Sequence, residues 1–314
     1  NALLFEGTNV LPQAATPMTA ALTYIRYAPE CRADIDFFSS EEWENFLEQD
    51  RKYQFILQQA KLKLEELERQ EEERCRRLRK PYRKRQITKE IIVKEAEKEL
   101  NENFTAAHEL VTMAQKSGLK VEQYLGKTDS VIAASPEELA GKMEDYVGAN
   151  GKFTPLVCSS VIYINDERLN GYEIIDTPGT NDPIISRGRK TNRSLAQTDV
   201  VFALSPAATF FDTGDWQLLS QNLPRNGVKH FEIIASQYDL AVGQIADKEI
   251  PTHYSPEKGV AYGMKFVQNE LAGTFRSRVE KLIDEAMRKD AGDREKWERI
   301  VNAEPICISA KAYS

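Results

Sequence analysis

The chain has 314 residues, 41% of them hydrophobic, enough apolar material for one large or two modest domains and too much for a disordered segment. A charged fraction of 29% with a net charge of -7 excludes the broad basic surface that nonspecific nucleic-acid binding needs, so no nucleic acid is expected as partner and any basic site must be local. Cys31, Cys75, Cys158 and Cys307 show no C-x-x-C spacing, the three histidines form no H-x-x-x-H pair, and no run approaches the roughly 18 apolar residues of a membrane span, which together point to a reducing, cytoplasmic setting.

The chain opens on Asn1 without a methionine, and Asn1-Ala-Leu-Leu-Phe reads as a helix already under way, so a longer parent chain is expected. Thr23 to Tyr27 and Ala33 to Phe38 alternate apolar with polar residues on either side of Pro29-Glu30, which predicts two short strands paired with each other. From Ser39 the period changes. Trp43, Phe46, Tyr53, Leu57, Ala60, Leu64 and Leu67 mark one face of an amphipathic helix, with Ser39 and Ser40 ahead of Glu41 and Glu42 as its cap. That helix runs into acidic residues from Glu65 to Glu73 and basic ones from Arg74 to Arg85, and Pro81 interrupts it. Ile87, Ile91, Ala96, Leu100, Phe104, Ala107 and Val111 then predict a second helix ending near Gly118, antiparallel to the first. Residues 40 to 150 are thus expected to be a mainly helical insertion, between a first segment, 1 to 39, and a second, 151 to 314, of one domain.

After Gly151 the strand signal returns in Ser160 to Ile164, Tyr172 to Ile175, Asp199 to Leu204, Phe231 to Ala235 and Pro305 to Ile308. Short apolar runs separated by helical or looped stretches suit the buried strands of a largely parallel sheet, which makes this an α/β domain. Three polar segments follow such runs at their carboxyl ends, where ligands gather in α/β sheets. Asp176-Thr177-Pro178-Gly179 places a carboxylate where it can hold magnesium through water and a glycine whose amide can approach a terminal phosphate; an ordinary turn leaving a strand has the same composition. Ser236-Gln237-Tyr238-Asp239 places a carboxylate where it can accept two hydrogen bonds from the edge of a guanine, and Ser309-Ala310-Lys311 can line the base pocket. Each alone is as well explained by a polar turn; their order is the signal.

In that order they resemble the third, fourth and fifth nucleotide-binding motifs of P-loop GTPases. The segment Asn1 to Pro12, followed by Ala15-Thr-Pro-Met-Thr-Ala, resembles the helix after the phosphate loop and the first switch of bacterial dynamin-like proteins. Asn181-Asp-Pro-Ile-Ile-Ser-Arg is similar to the branch that includes the labile-enterotoxin-output protein of enteric bacteria. The resemblance covers residues 1 to 27 and 160 to 240 well and the insertion hardly at all. It implies a GTPase-type, mainly parallel sheet flanked by helices, GTP and GDP as ligands, and magnesium as cofactor. By position, Thr19 would help hold magnesium and the attacking water, with Thr16 the less suited candidate, Asp176 would hold the metal through water, and Gly179 would sense the γ-phosphate. Asp239 would read guanine beside Ser236 and Gln237, while Ser309, Ala310 and Lys311 would support the base. The resemblance further implies pairing of two copies across the nucleotide face and work on a membrane, hence peripheral membrane association.

Three features depart from that pattern. The fourth motif carries Gln237 where a lysine stem normally covers the base, which bears on guanine against adenine selectivity. Thr180 follows the third motif in place of a water-positioning glutamine. The G-x-x-x-x-G-K-[ST] loop, with its amide cradle and phosphate-binding lysine, does not occur in the 314 residues; Gly126-Lys127-Thr128 lacks the first glycine, since Val121 holds its place. Hydrolysis of GTP is therefore expected of the intact protein, and this chain alone is expected to be inactive. The altered fourth motif also suits a non-catalytic scaffold whose insertion docks a partner. The basic cluster of Arg74 to Arg85 reads either as a contact for anionic lipid or as a solvated helix face neutralised by the acidic run before it.

Overall fold

The computed structural model describes residues 21–148, 151–177, 198–212, 215, 230–245, 255–289 and 304–309. They fall into two compact units, one holding the described residues up to Thr177 and the other those from Thr198 onward.

In the first unit, strands β1 (Leu22–Tyr27), β2 (Cys31–Phe37), β3 (Thr128–Ala133), β4 (Val157–Ile164) and β5 (Glu173–Asp176) form a mixed sheet in the order β3-β2-β4-β1-β5. β1 and β4 run parallel and the other neighbours antiparallel. The expected pairing of β1 with β2 does not occur, because β4 lies between them. β4 is buried along most of its length, and a strand covered on both faces takes the interior of a sheet while half-exposed strands flank it.

Helix α1 (Ser40–Arg77) opens on a capping box in which Ser39 Oγ accepts from the Glu42 amide and the Glu42 carboxylate accepts from the Ser39 amide at 2.8 Å. Its inner face carries Trp43, Phe46, Asp50, Tyr53 and Ala60, and it ends before Pro81 is reached. The single helix predicted after Ile87 is two helices, α2 (Lys89–Ala96) and α3 (Glu102–Ser117). Asn101 makes the break: its side chain accepts from the Phe104 amide at 2.9 Å, an N-cap that competes with continuing the helix. Gly118, at φ 68°, closes α3 in the left-handed conformation that glycine adopts without strain. Asp50 meets His108 and Lys63 meets Glu95, so α2 and α3 return antiparallel along α1.

The stretch from 40 to 150 also contributes a strand. β3 alternates exposed and half-buried residues along the sheet edge, and the Gly126 amide donates to Phe38 O at 2.9 Å as the chain turns into it. Gly126-Lys127-Thr128 therefore enters a strand, whereas an amide cradle for phosphate needs a helix N-terminus. Helix α4 (Pro136–Val147), capped by Ser135, packs on β2, β3 and β4 and buries Leu139, Met143 and Val147. Phe37, Tyr124, Tyr146 and Phe153 close its far end as an aromatic cluster.

In the second unit, β6 (Val200–Pro206), β7 (His230–Ser236) and β8 (Ile306–Cys307) form a parallel sheet in that order. Helices α5 (Tyr238–Ile245) and α6 (Pro256–Lys289) belong to the same unit. Its core joins Val201, Ile233 and Ala235 of the strands to Val267, Leu271, Phe275 and Val279, which recur every fourth residue along α6. The parallel character expected of the domain is found here.

Candidate functional site

The carboxyl ends of β6 and β7 are level, with Pro206 opposite Ser236. Ile233 and Ala235 are fully buried, which anchors β7 and fixes where its last residue emerges. Gln237 then turns the chain at φ 54°, a left-handed conformation that costs a residue with a Cβ about 1–2 kcal/mol, and α5 begins at once. The Ser236 hydroxyl donates to Ser205 O at 3.3 Å, and the Tyr238 hydroxyl donates to Met264 O, tying the turn to β6 and to α6. Burial pushes the Tyr238 phenol up from its ordinary range, so it remains a donor.

The fifth motif is brought to this turn by main-chain bonds. The Ile308 amide donates to Ala235 O at 2.9 Å and the Tyr238 amide to Ile308 O at 3.2 Å, carrying the chain past β8 along the end of β7. Ser309 thereby reaches Asp239 in the first turn of α5, and its Oγ donates to Asp239 Oδ1 at 2.6 Å. That bond orients a half-buried carboxylate and leaves lone pairs on both of its oxygens to accept from a planar pair of N–H donors. A carboxylate held this way matches an edge that presents two adjacent donors, as guanine does, and mismatches one that presents acceptors.

Asp176, in the first unit, is the last residue of β5, opposite Thr23 of β1, and Thr177 follows it at the surface. Protein packed around the Asp176 carboxyl pushes its pKa up, yet the residue keeps an exposed surface. No group of three or more histidine, cysteine or acidic side chains among the described residues could enclose a metal. A single exposed carboxylate at a strand end nonetheless fits magnesium, which keeps several waters and takes one or two carboxylates together with substrate phosphates.

The structure thus joins Asp239 to Ser309, with Ser236 and Gln237 beside them, and places Asp176 and Thr177 at the end of β5. Thr16, Thr19, Pro178, Gly179, Thr180, Ala310 and Lys311, and the segment Asn181 to Arg187, lie outside the described residues. Two contributors were not legible in the sequence: the left-handed backbone of Gln237, since no glycine or asparagine marks it, and Ser205, whose carbonyl receives Ser236 from a neighbouring strand.

A family model described as the dynamin family matches residues 1–236. Among solved structures, the chain is similar to a structure described as an oligomerised bacterial dynamin pair that provides a mechanism for the long range sensing and tethering of membranes. The TM-score is 0.54 at 18% identity, over 98% of this chain and 37% of that one. A second structure with the same description matches at a TM-score of 0.49 and 17% identity, over 97% of this chain and 36% of that one. The chain therefore spans little more than a third of the length of the proteins it matches in structure. No curated protein matches it.

Proposed function

The chain belongs to the dynamin family, and on that premise we propose that it is the greater part of a GTPase domain that binds GTP and, in the intact protein, hydrolyses it to GDP and phosphate. The observation that carries this reading is the 2.6 Å bond from Ser309 to Asp239, which unites two motifs far apart in sequence into one base-recognising corner. Asp239 accepts from the two donors of the guanine edge, Ser309 fixes its orientation, and Ser236 and Gln237 form the adjoining wall. Asp176, at the end of β5, would hold magnesium through water, and Gly179 would sense the γ-phosphate through its amide. Thr19 would help hold magnesium and the attacking water. Magnesium, when bound with the triphosphate, offsets the charge that builds on the phosphate oxygens. Ordering of the segments around Thr19 and Gly179 on GTP, and their release after hydrolysis, would drive pairing of two copies across the nucleotide face and remodelling of a membrane by a cytoplasmic, peripherally associated protein.

Competition against a fluorescent GTP analogue on the intact protein tests the base assignment. GTP should displace the analogue at least about 100-fold better than ATP, because adenine leaves the Asp239 acceptors unpaired. Equal displacement by ATP would sink the guanine reading. Phosphate release that requires magnesium and disappears in Thr19→Ala would establish hydrolysis. The second reading, a non-catalytic scaffold whose 40–150 insertion docks a partner, is favoured by Gln237 standing in place of the lysine stem. Nucleotide binding with no phosphate release would select it.

A further inference from the structure

The distal half of α1 carries a feature that the nucleotide site does not use. From Ala60, its last fully buried residue, to Arg77 the helix runs on for roughly 25 Å at about 1.5 Å per residue. The chain then turns back along it: the Tyr82 hydroxyl and the Arg85 amide both donate to the Glu68 carboxylate. Eight of the twelve residues from Arg74 to Arg85 are arginine or lysine and none is acidic, whereas the band behind them, Glu65 to Glu73, holds six glutamates.

The acidic band does not neutralise this tip. Arg74 pairs with Glu71 and Arg77 with Glu73, each at 3.5 Å. The side chains of Arg76, Arg79, Lys80 and Arg83 are exposed and have no ion-pair or hydrogen-bond partner among the described residues. Leu78, 54% exposed, stands at the apex between them. The turn itself is a Schellman motif, with the Lys80 amide donating to Cys75 O at 2.9 Å and the Arg79 amide to Arg76 O at 3.3 Å. Its left-handed position, φ 51°, is filled by Arg79 where glycine would be free of strain.

We propose that this tip, residues 74 to 85, docks end-on against anionic phospholipid head groups. The unpaired cations face a negative surface, Leu78 enters the boundary between head groups and acyl chains, and the glutamates of the acidic band are repelled by the same surface. Only the end of the arm then makes contact. A nucleic acid fits less well: its backbone follows a groove or stripe lined with stacking rings, and the one ring at the tip, Tyr82, is half-buried and held by Glu68. From the functional reading this takes only the membrane, and no residue of the nucleotide motifs is involved.

Flotation of the intact protein, without nucleotide, tests the assignment independently of GTP binding. The protein should float with phosphatidylcholine vesicles that carry about one-quarter phosphatidylserine, not with pure phosphatidylcholine, and should be released at about 1 M salt, where the screening length is about 3 Å. Each cation removed should lower partitioning about fivefold, so Arg76→Glu, Arg79→Glu, Lys80→Glu and Arg83→Glu together should abolish it with thermal stability retained. Arg79→Gly separates the role from folding: it should raise the melting temperature yet weaken partitioning about fivefold. Undiminished flotation of the fourfold variant, equal flotation with pure phosphatidylcholine, or tighter binding to single-stranded RNA than to the vesicles would each overturn the lipid assignment.

Discussion

Replacing His108 with alanine should loosen the arm where α3 packs on α1. Asp50 is 5% exposed, and its carboxylate is partnered by His108 Nδ1 at 2.6 Å and accepts from Gln54 Nε2 at 2.8 Å. The Tyr53 ring stacks on the imidazole, with centroids 4.2 Å apart. A hydrogen bond to a charged group contributes about 1.5–3 kcal/mol and an aromatic pair about 0.5–1.5 kcal/mol, so His108→Ala should cost about 2–4.5 kcal/mol. His108→Phe keeps a ring against Tyr53 and removes the donor, and should cost only the first part. Adding Asp50→Asn to His108→Phe removes the uncompensated buried charge and should recover at least about 1 kcal/mol. Hydrogen exchange of the α1 and α3 amides is the suitable assay, because two compact units need not unfold in one two-state transition. Loss of protection equivalent to less than about 0.5 kcal/mol in His108→Ala, as for an ordinary surface substitution, would refute the reasoning. A double variant no better protected than His108→Phe would refute it equally.

Asp239→Asn presents an amide donor where guanine also presents donors, so the intact protein should lose about 100-fold or more in GTP affinity and gain relative affinity for xanthosine triphosphate, read by the same displacement assay. Gly151→Ala should destabilise the first unit by about 1–3 kcal/mol, since a methyl there would overlap the Glu144 and Asp145 carbonyl oxygens and Thr154 Oγ1; calorimetry of the variant checks it. The return of the tip onto α1 should hold only between two limits of pH. Hydrogen bonds from Tyr82 and the Arg85 amide keep Glu68 below the ordinary glutamate range, so their contribution is present above that range and fades as pH falls through the depressed value. The same bond to Glu68 pushes Tyr82 up to about 12, so the phenol's contribution is full below the usual tyrosine value and is lost as pH rises through about 12. Exchange of the Arg85 amide, whose donor lies in this contact, should accelerate at both limits beyond the intrinsic pH dependence; an intrinsic profile throughout would count against the contact.

Local chemistry made much of the molecule legible. Ser39 and Glu42 announce the start of α1, Gly118 the end of α3, and five short apolar runs the strands β4 to β8, because caps, left-handed turns and buried strands are decided within a few residues. Neighbours in space were less accessible. The sequence places β1 next to β2 along the chain, and only the greater burial of β4 puts it between them. The break at Asn101 lies inside an uninterrupted apolar stripe, where an N-cap and a continuing helix are close in free energy and packing on α1 selects between them.

The candidate site divides in the same way. Asp176, Asp239 and Ser309 could be chosen from the sequence because each follows an apolar run at a strand end, and strand ends are where α/β sheets bind ligands. That Asp239 and Ser309 share a hydrogen bond was set by β7 and β8 lying side by side, and the left-handed turn at Gln237 by the need to start α5 directly from β7. The basic run at the tip of α1 shows the limit most clearly. Its charge was written in the sequence, but which arginines and lysines find a glutamate depends on side-chain reach across helical turns, and that pairing is a property of the folded arm alone.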